Sequence, residues 1–117
     1  MNLLKMKIKG RVIEGKKEGK RLGFPTANIA LSQNIESGVY AAKVVVEGIE
    51  YCAAVFIDEG GNTLETHILE FDHDIYGKEI EVTLGKKIRD VVLYENDKQM
   101  KKQIKQDIAQ IRLNANN

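Results

Sequence analysis

Apolar and polar residues alternate along most of the chain, and this pattern predicts strands. Residues 6–12 alternate clearly and indicate a first strand. Two β-rich runs, 39–47 and 49–57, meet at Glu47-Gly48 and predict a hairpin. Further strands are predicted at 64–71, 79–84 and 87–94, with a turn at Gly85-Lys86 between the last two. Short strands without intervening helices favour an antiparallel barrel or sandwich.

The end of the chain changes to helical spacing. Its apolar stripe consists of Met100, Ile104, Ile108 and Ile111, at intervals of four, four and three residues. Asn96 lies where an N-cap belongs, and Gln99 can complete a capping box. We expect one domain over 1–117, with the β structure at about 6–94 and a helix at about 97–112.

Composition limits the class of protein. With 43% hydrophobic and 30% charged residues, the chain is typical of a soluble globular domain. A net charge of +1 gives no general attraction to nucleic acid. The single cysteine, Cys52, excludes an internal disulfide and is expected in a strand or the core. Because no apolar run has membrane-spanning length, we expect a cytoplasmic protein without a membrane partner. We also expect a monomer without nucleic-acid partners.

The segment 19–28 carries the most candidate chemistry. It contains two glycines, two cations and the only proline of the chain, and glycines let backbone N–H groups approach a phosphate closely. Pro25 favours an extended chain, in which Thr26 and Asn28 share one face. Their oxygens are of the kind that Mg²⁺ accepts beside nucleotide phosphates. The segment therefore predicts a metal–nucleotide cradle, although a simple surface turn before a strand remains the alternative.

Several motifs occur together in a specific order. They are Gly10-Arg11-Val12-Ile13-Glu14-Gly15 with Gly19, Leu22-Gly23-Phe24-Pro25-Thr26-Ala27-Asn28, Gly38-Val39-Tyr40-Ala41, Glu65-Thr66-His67-Ile68-Leu69-Glu70-Phe71, Asp74-Ile75-Tyr76-Gly77-Lys78 and Arg89. Over roughly residues 7–112 the chain resembles the riboflavin kinase (flavokinase) family, including the kinase half of bacterial bifunctional FAD synthetases. We expect a stand-alone kinase domain that lacks the nucleotidyltransferase half.

The resemblance implies a mainly β fold, a six-stranded antiparallel Greek-key barrel of the riboflavin kinase split-barrel type, closed at one end by a C-terminal α-helix. It implies an enzyme that transfers the γ-phosphoryl group of ATP to the ribityl 5′-hydroxyl of riboflavin, giving FMN and ADP. Riboflavin, ATP and Mg²⁺ are then the expected substrates and cofactor. Glu65 occupies the family's catalytic glutamate position, where a carboxylate can accept the hydroxyl proton.

The resemblance also assigns binding residues. The phosphates would be lined by Gly15, Lys20, Arg21 and Gly23. Mg²⁺ and the phosphates would be held by Thr26 and Asn28, and the base and sugar would lie near Ile68, Glu70 and Tyr76. The flavin side would be formed by Arg89 and Tyr94. Structural roles are the alternatives: a turn aromatic at Tyr76, a core residue at Tyr94, and a surface charge at Arg89 or Glu65.

Two loops depart from the family pattern. The loop at 58–63 is shorter and lacks proline, and Leu93-Tyr94 stands where a basic residue and phenylalanine are usual. Two other functions therefore stay open. One is a catalytically weak flavin- or nucleotide-binding module on the same barrel. The other is a kinase for a different small alcohol.

Overall fold

A computed structural model describes residues 6–15 and 18–115. The strands are β1 (Lys7–Arg11), β2 (Ala27–Ala30), β3 (Gly38–Val46), β4 (Ile49–Ile57), β5 (Thr63–Ile68) and β6 (Glu79–Arg89). The helices are the four-residue α1 (Glu18–Arg21) and the long α2 (Asp97–Ala115). Neither is long and apolar enough to cross a bilayer.

The six strands form one sheet in the order β1-β6-β3-β4-β5-β2, and every neighbouring pair is antiparallel. A backbone bridge between Ile13 and Asn28 brings the two edges together, so the sheet forms a nearly closed barrel. The predicted mainly β fold, with six antiparallel strands and a C-terminal helix, is confirmed.

Alternation along the strands divides the residues between the barrel interior and its outside. In β5 the buried positions are Leu64, Thr66 and Ile68, whereas Glu65 and His67 lie on the outer side and are half-buried. The interior core is apolar and receives residues from all six strands, including Ile8, Ile29, Val44, Val55, Leu64 and Val82.

Helix α2 covers the outside of the barrel rather than closing one end. Its Ile108 and Ile111 pack with Ala54 and Leu69 in a second, smaller core on the outer side of β4. Cys52 packs against this cluster as a half-buried strand residue, as expected. The C-terminal half of the apolar stripe, Ile108 and Ile111, therefore packs on the outer surface of the sheet.

The predicted turn at Gly85-Lys86 is wrong, because β6 continues through it to Arg89. The register jumps there, with Ala42 opposite Leu84 and Tyr40 opposite Lys87, so β6 has one extra residue, which forms a bulge. A Cβ on Gly85 would lie 3.0 Å from the Ala41 carbonyl oxygen, which explains a glycine at this close approach.

Two other strand predictions also need correction. The strand predicted at 87–94 ends at Arg89, and the sixth strand is instead β2, directly after Pro25-Thr26. The strand predicted at 64–71 ends at Ile68 because Glu70 adopts a left-handed conformation with φ of 58°. Neither of these ends has a proline or glycine to mark it.

The start of α2 follows the predicted capping. The Gln99 backbone N–H donates to Asn96 Oδ1 at 2.9 Å, which makes Asn96 the N-cap. Gln99 Oε1 accepts a hydrogen bond from the Glu95 backbone N–H at 3.1 Å, one residue before the donor expected in a capping box.

Candidate active site

A cavity of about 640 Å³ opens where β2 and the end of β5 meet the loops at 12–15 and 71–76. It contains six of the residues that the sequence assigned to nucleotide binding. These are Gly15, Lys20, Thr26, Asn28, Ile68 and Tyr76. The remaining wall includes apolar side chains and the acidic loop around His73. Residues separated by up to 61 positions in the sequence are thus gathered at one opening of the barrel.

Thr26 connects this cavity to Glu65. Asn28 lies directly opposite Glu65 in the β2–β5 pair, so the two side chains share the outer side of the sheet. The Thr26 hydroxyl approaches Glu65 Oε1 at 3.5 Å. Glu65 itself does not line the cavity. Its carboxylate contacts Thr26, which does, so it lies at the cavity's rim.

The loop before α1 requires glycine beside Asn28. A Cβ on Gly15 would overlap the Asn28 carboxamide, which is itself only 5% exposed. Glycine therefore lets the backbone approach the amide that the sequence assigned to metal binding. A larger residue at position 15 has to displace Asn28.

His67 fixes the turn that carries Thr26. Its Nδ1 lies 2.8 Å from the Pro25 carbonyl oxygen, which fits an Nδ1–H donor, and its ring packs edge-on against Phe24 at 5.6 Å. The sequence left His67 without a role. The available signal was the strand period, which places it on the same side of β5 as Glu65. His67 is thus a positioning residue for the Pro25-Thr26 segment.

Aromatic side chains border the opposite wall of the cavity. Phe71 packs edge-on against Tyr51 at 5.0 Å and against His73 at 5.2 Å. Asp74 Oδ1 accepts a hydrogen bond from the Tyr76 backbone N–H at 3.0 Å and shapes the turn there. The Tyr76 ring is 61% exposed, so it borders the cavity and is open to solvent.

The described residues contain no cluster of three or more His, Cys, Asp and Glu side chains able to hold a metal ion. A protein-only metal cage of that kind is thus lacking in 6–15 and 18–115. The oxygens of Thr26 and Asn28 instead suit Mg²⁺, which commonly takes few protein ligands and completes its shell with water and phosphate.

Three other predicted nucleotide residues lie outside this cavity. Arg21 makes a two-pronged ion pair with Asp97 at the start of α2, and Arg21 and Gly23 line a second cleft of about 510 Å³ with Lys98 and Lys101. The hydrogen bond from Arg21 lowers the pKa of Asp97. Glu70 is exposed, with its carboxylate 3.9 Å from Arg112 on the helix.

The two predicted flavin residues lie together near α2. Arg89 donates to both carboxylate oxygens of buried Asp107, at 2.9 and 2.7 Å. Burial lowers the pKa of Arg89, but the bonds to Asp107 outweigh it, so the pKa is raised. Burial raises the pKa of Tyr94, opposed by Arg89 beside it. Arg89 thus has a structural partner, whatever else it binds.

Comparison with known proteins identifies similar sequences. The flavokinase family model, described as riboflavin kinase, matches residues 3–114. A bifunctional riboflavin kinase/FMN adenylyltransferase of Buchnera aphidicola subsp. Acyrthosiphon pisum is 42% identical over 117 residues, covering 86% of this chain and 36% of that protein. The RNA-binding riboflavin kinase RibR of Bacillus subtilis is 36% identical over 110 residues, covering 87% and 48%. The chain spans about a third to a half of these curated relatives.

Solved structures give the same fold. Riboflavin kinase from Trypanosoma brucei aligns with a TM-score of 0.68 and 26% identity, covering 91% of this chain and 76% of that one. A structure described as a macrolide-efflux protein from Streptococcus pneumoniae aligns with a TM-score of 0.81 and 28% identity, covering 92% and 38%. The overall fold, a nearly closed six-stranded barrel with a C-terminal helix, therefore matches proteins of known structure.

Proposed function

This chain belongs to the riboflavin kinase family, and on that basis we propose that it transfers the γ-phosphoryl group of ATP to the ribityl 5′-hydroxyl of riboflavin. The products are FMN and ADP. The single observation that carries the proposal is the meeting of Thr26 and Glu65 at 3.5 Å, at the rim of a cavity that contains the predicted nucleotide residues. Phosphate-binding groups and a proton acceptor are what such a reaction needs side by side.

Glu65 acts as the general base in this proposal. Its carboxylate orients the acceptor hydroxyl and takes its proton as the oxygen attacks the γ-phosphorus. Glu65 is half-buried and contacts Thr26, which places its carboxylate next to the proposed phosphate site. His67 holds Thr26 in position by a hydrogen bond to the carbonyl oxygen of the preceding residue, Pro25.

In this proposal the phosphates are bound by the glycine-containing loop, Lys20 and the segment 26–28. Gly15 lets the backbone approach Asn28 closely, and Lys20 lines the same cavity with its positive charge. Thr26 and Asn28 would hold Mg²⁺ by their side-chain oxygens. Bound there, the ion would neutralise the charge that develops on the transferred phosphoryl group.

Riboflavin is proposed to bind on the α2 side of Glu65. Next to Tyr94, the loop between β6 and α2 exposes Val91, Val92 and Leu93, of which Leu93 is fully exposed. An apolar surface of this kind can cover part of an isoalloxazine ring, and Tyr94 can add stacking. RNA is not part of the proposal, since the net charge of +1 gives no general attraction to it.

The reaction is tested by incubating the purified chain with riboflavin, ATP and MgCl₂ and separating the flavins by chromatography. We expect FMN and ADP in equal amounts, and no FMN without MgCl₂. Binding of riboflavin or ATP without any product would support the binding-module alternative instead. Consumption of ATP only with another alcohol would replace riboflavin as the acceptor.

A further inference from the structure

Thr66 presents a buried hydroxyl to the cavity without a partner. Its side chain is 0% exposed, it lines the cavity, and no described residue forms a hydrogen bond with Thr66 Oγ1. Buried polar groups in folded proteins nearly always have a partner, because an unpaired one costs stability. The other such atom in the described chain, the Tyr94 hydroxyl, lies outside this cavity beside Arg89.

The Thr66 hydroxyl lies among apolar side chains. Its neighbours on the interior side are Ile68 and Leu64 along β5 and Ala27 across the sheet. Valine would suit this environment better, since it has nearly the same shape, favours strands and leaves no polar atom unpaired. A ligand with a polar group in the cavity would supply the missing partner of this hydroxyl.

We propose that Thr66 binds the nucleoside part of the nucleotide through Oγ1, an inference that rests on the proposed function. Because side chains alternate, Thr66 faces the barrel interior whereas Thr26 and Asn28 face the other side of β2. Thr66 therefore reaches the cavity from the wall that includes Ile68, away from the loop assigned to the phosphates. A hydroxyl both donates and accepts, which suits a ribose hydroxyl or a polar edge of the base.

This role predicts opposite effects on stability and on binding. Thr66→Val removes the unpaired hydroxyl but keeps the shape, so the melting temperature of the ligand-free protein stays the same or rises. The same change weakens MgATP binding by about 3- to 10-fold, the range for one lost neutral hydrogen bond. Thr66→Ser reverses the pattern, because it keeps the hydroxyl and loses a buried methyl group.

The experiment measures dissociation constants by calorimetry on the full chain with two probes, MgATP and magnesium tripolyphosphate, which lacks the nucleoside. Thr66→Val is expected to weaken MgATP only. Thr63→Val is the matched control, since Thr63 lies on the same strand outside the cavity, and it should change neither constant.

Unchanged MgATP affinity in Thr66→Val overturns the inference. So does an equal loss for both probes, which would place the contact at the phosphates, or a fall in melting temperature with no loss of affinity, which would show a structural hydroxyl. A wild-type chain that binds MgATP through Thr66 but makes no FMN overturns only the proposed function. One that makes FMN while Thr66→Val binds normally overturns only this inference.

Discussion

The cavity side and the helix side of the barrel present their predicted functional residues in opposite ways. On the cavity side, uncharged Thr26 and Asn28 line the cavity, and Gly15 packs closely against the Asn28 carboxamide. On the helix side, Arg89 is bonded to buried Asp107 and Arg21 to Asp97. The presence of an arginine in a family motif therefore does not show whether its charge can contact a ligand or is used in an ion pair within the protein.

The two sides also differ in shape. The proposed nucleotide side has a cavity of about 640 Å³. The proposed flavin side consists of the exposed loop at 91–93 and residues tied to α2. Substitutions on the first side are therefore expected to change binding or turnover, and substitutions on the second to change stability as well.

The largest effect is expected for Glu65→Gln, because Glu65 lies at the boundary between the cavity side and the helix side. Glutamine keeps the shape and one acceptor oxygen but cannot take a proton at neutral pH. We expect kcat to fall by about 10²–10⁴, roughly 3–5.5 kcal/mol of barrier, with KM little changed. Steady-state kinetics, both binding constants and the melting temperature should be measured on one preparation.

Two other results for this variant would contradict the assignment. A change in turnover of twofold or less would make Glu65 a surface residue. A lower melting temperature with unchanged turnover would make it a structural one. The unsubstituted chain, prepared in parallel, supplies the reference for all three measurements.

Arg89→Met probes the helix side. It leaves the Asp107 carboxylate buried and without its cationic partner, since the side chain of Asp107 is only 3% exposed. Loss of one member of a buried pair typically costs about 3–5 kcal/mol, so the free energy of unfolding should fall by that order. Urea unfolding without ligands measures it.

The double variant Arg89→Met/Asp107→Leu is the control for this prediction, because it removes both charges. It should recover most of the lost stability. A single variant as stable as the wild type would show that the pair is not structural. Arg89 would then be free to serve the flavin alone.

Elements that depend on local pattern could be predicted from the sequence, whereas contacts between distant segments could not. Alternation located β3, β4 and β5 within a few residues, and helical spacing with Asn96 located α2. The bulge at Gly85 and the four-residue β2 depend on pairing with distant strands, so local pattern could not fix them. Likewise, no spacing signal joins Arg89 to Asp107, because the pairing arises only when α2 packs on the barrel.

Thr26→Val probes the cavity side and is expected to change stability less than Arg89→Met does. Valine suits the extended segment and removes only the oxygen proposed for Mg²⁺ and for contact with Glu65. We expect MgATP affinity to fall by about 10-fold, as for the loss of one polar contact to a charged group, and the melting temperature to change little. Unchanged titrations with Mg²⁺ and ATP would remove Thr26 from the metal site.

The smallest expected effect comes from Asp97→Asn, which tests whether the helix side restrains the phosphate-binding segment. The substitution removes the negative charge opposite Arg21 but keeps hydrogen-bonding capacity at the start of α2. Both side chains are more than half exposed, so stability should change little, as is usual for surface ion pairs. Removing this negative charge makes the local potential more positive, so MgATP binding should strengthen by about two- to fivefold at low salt, and this gain should shrink as salt screens it. Calorimetry at two salt concentrations checks this, with Asp90→Asn as a control, because Asp90 pairs with Lys87 instead. Weaker binding in Asp97→Asn would mean that the ion pair holds Arg21 in a binding position, and the helix side would then be part of the nucleotide site.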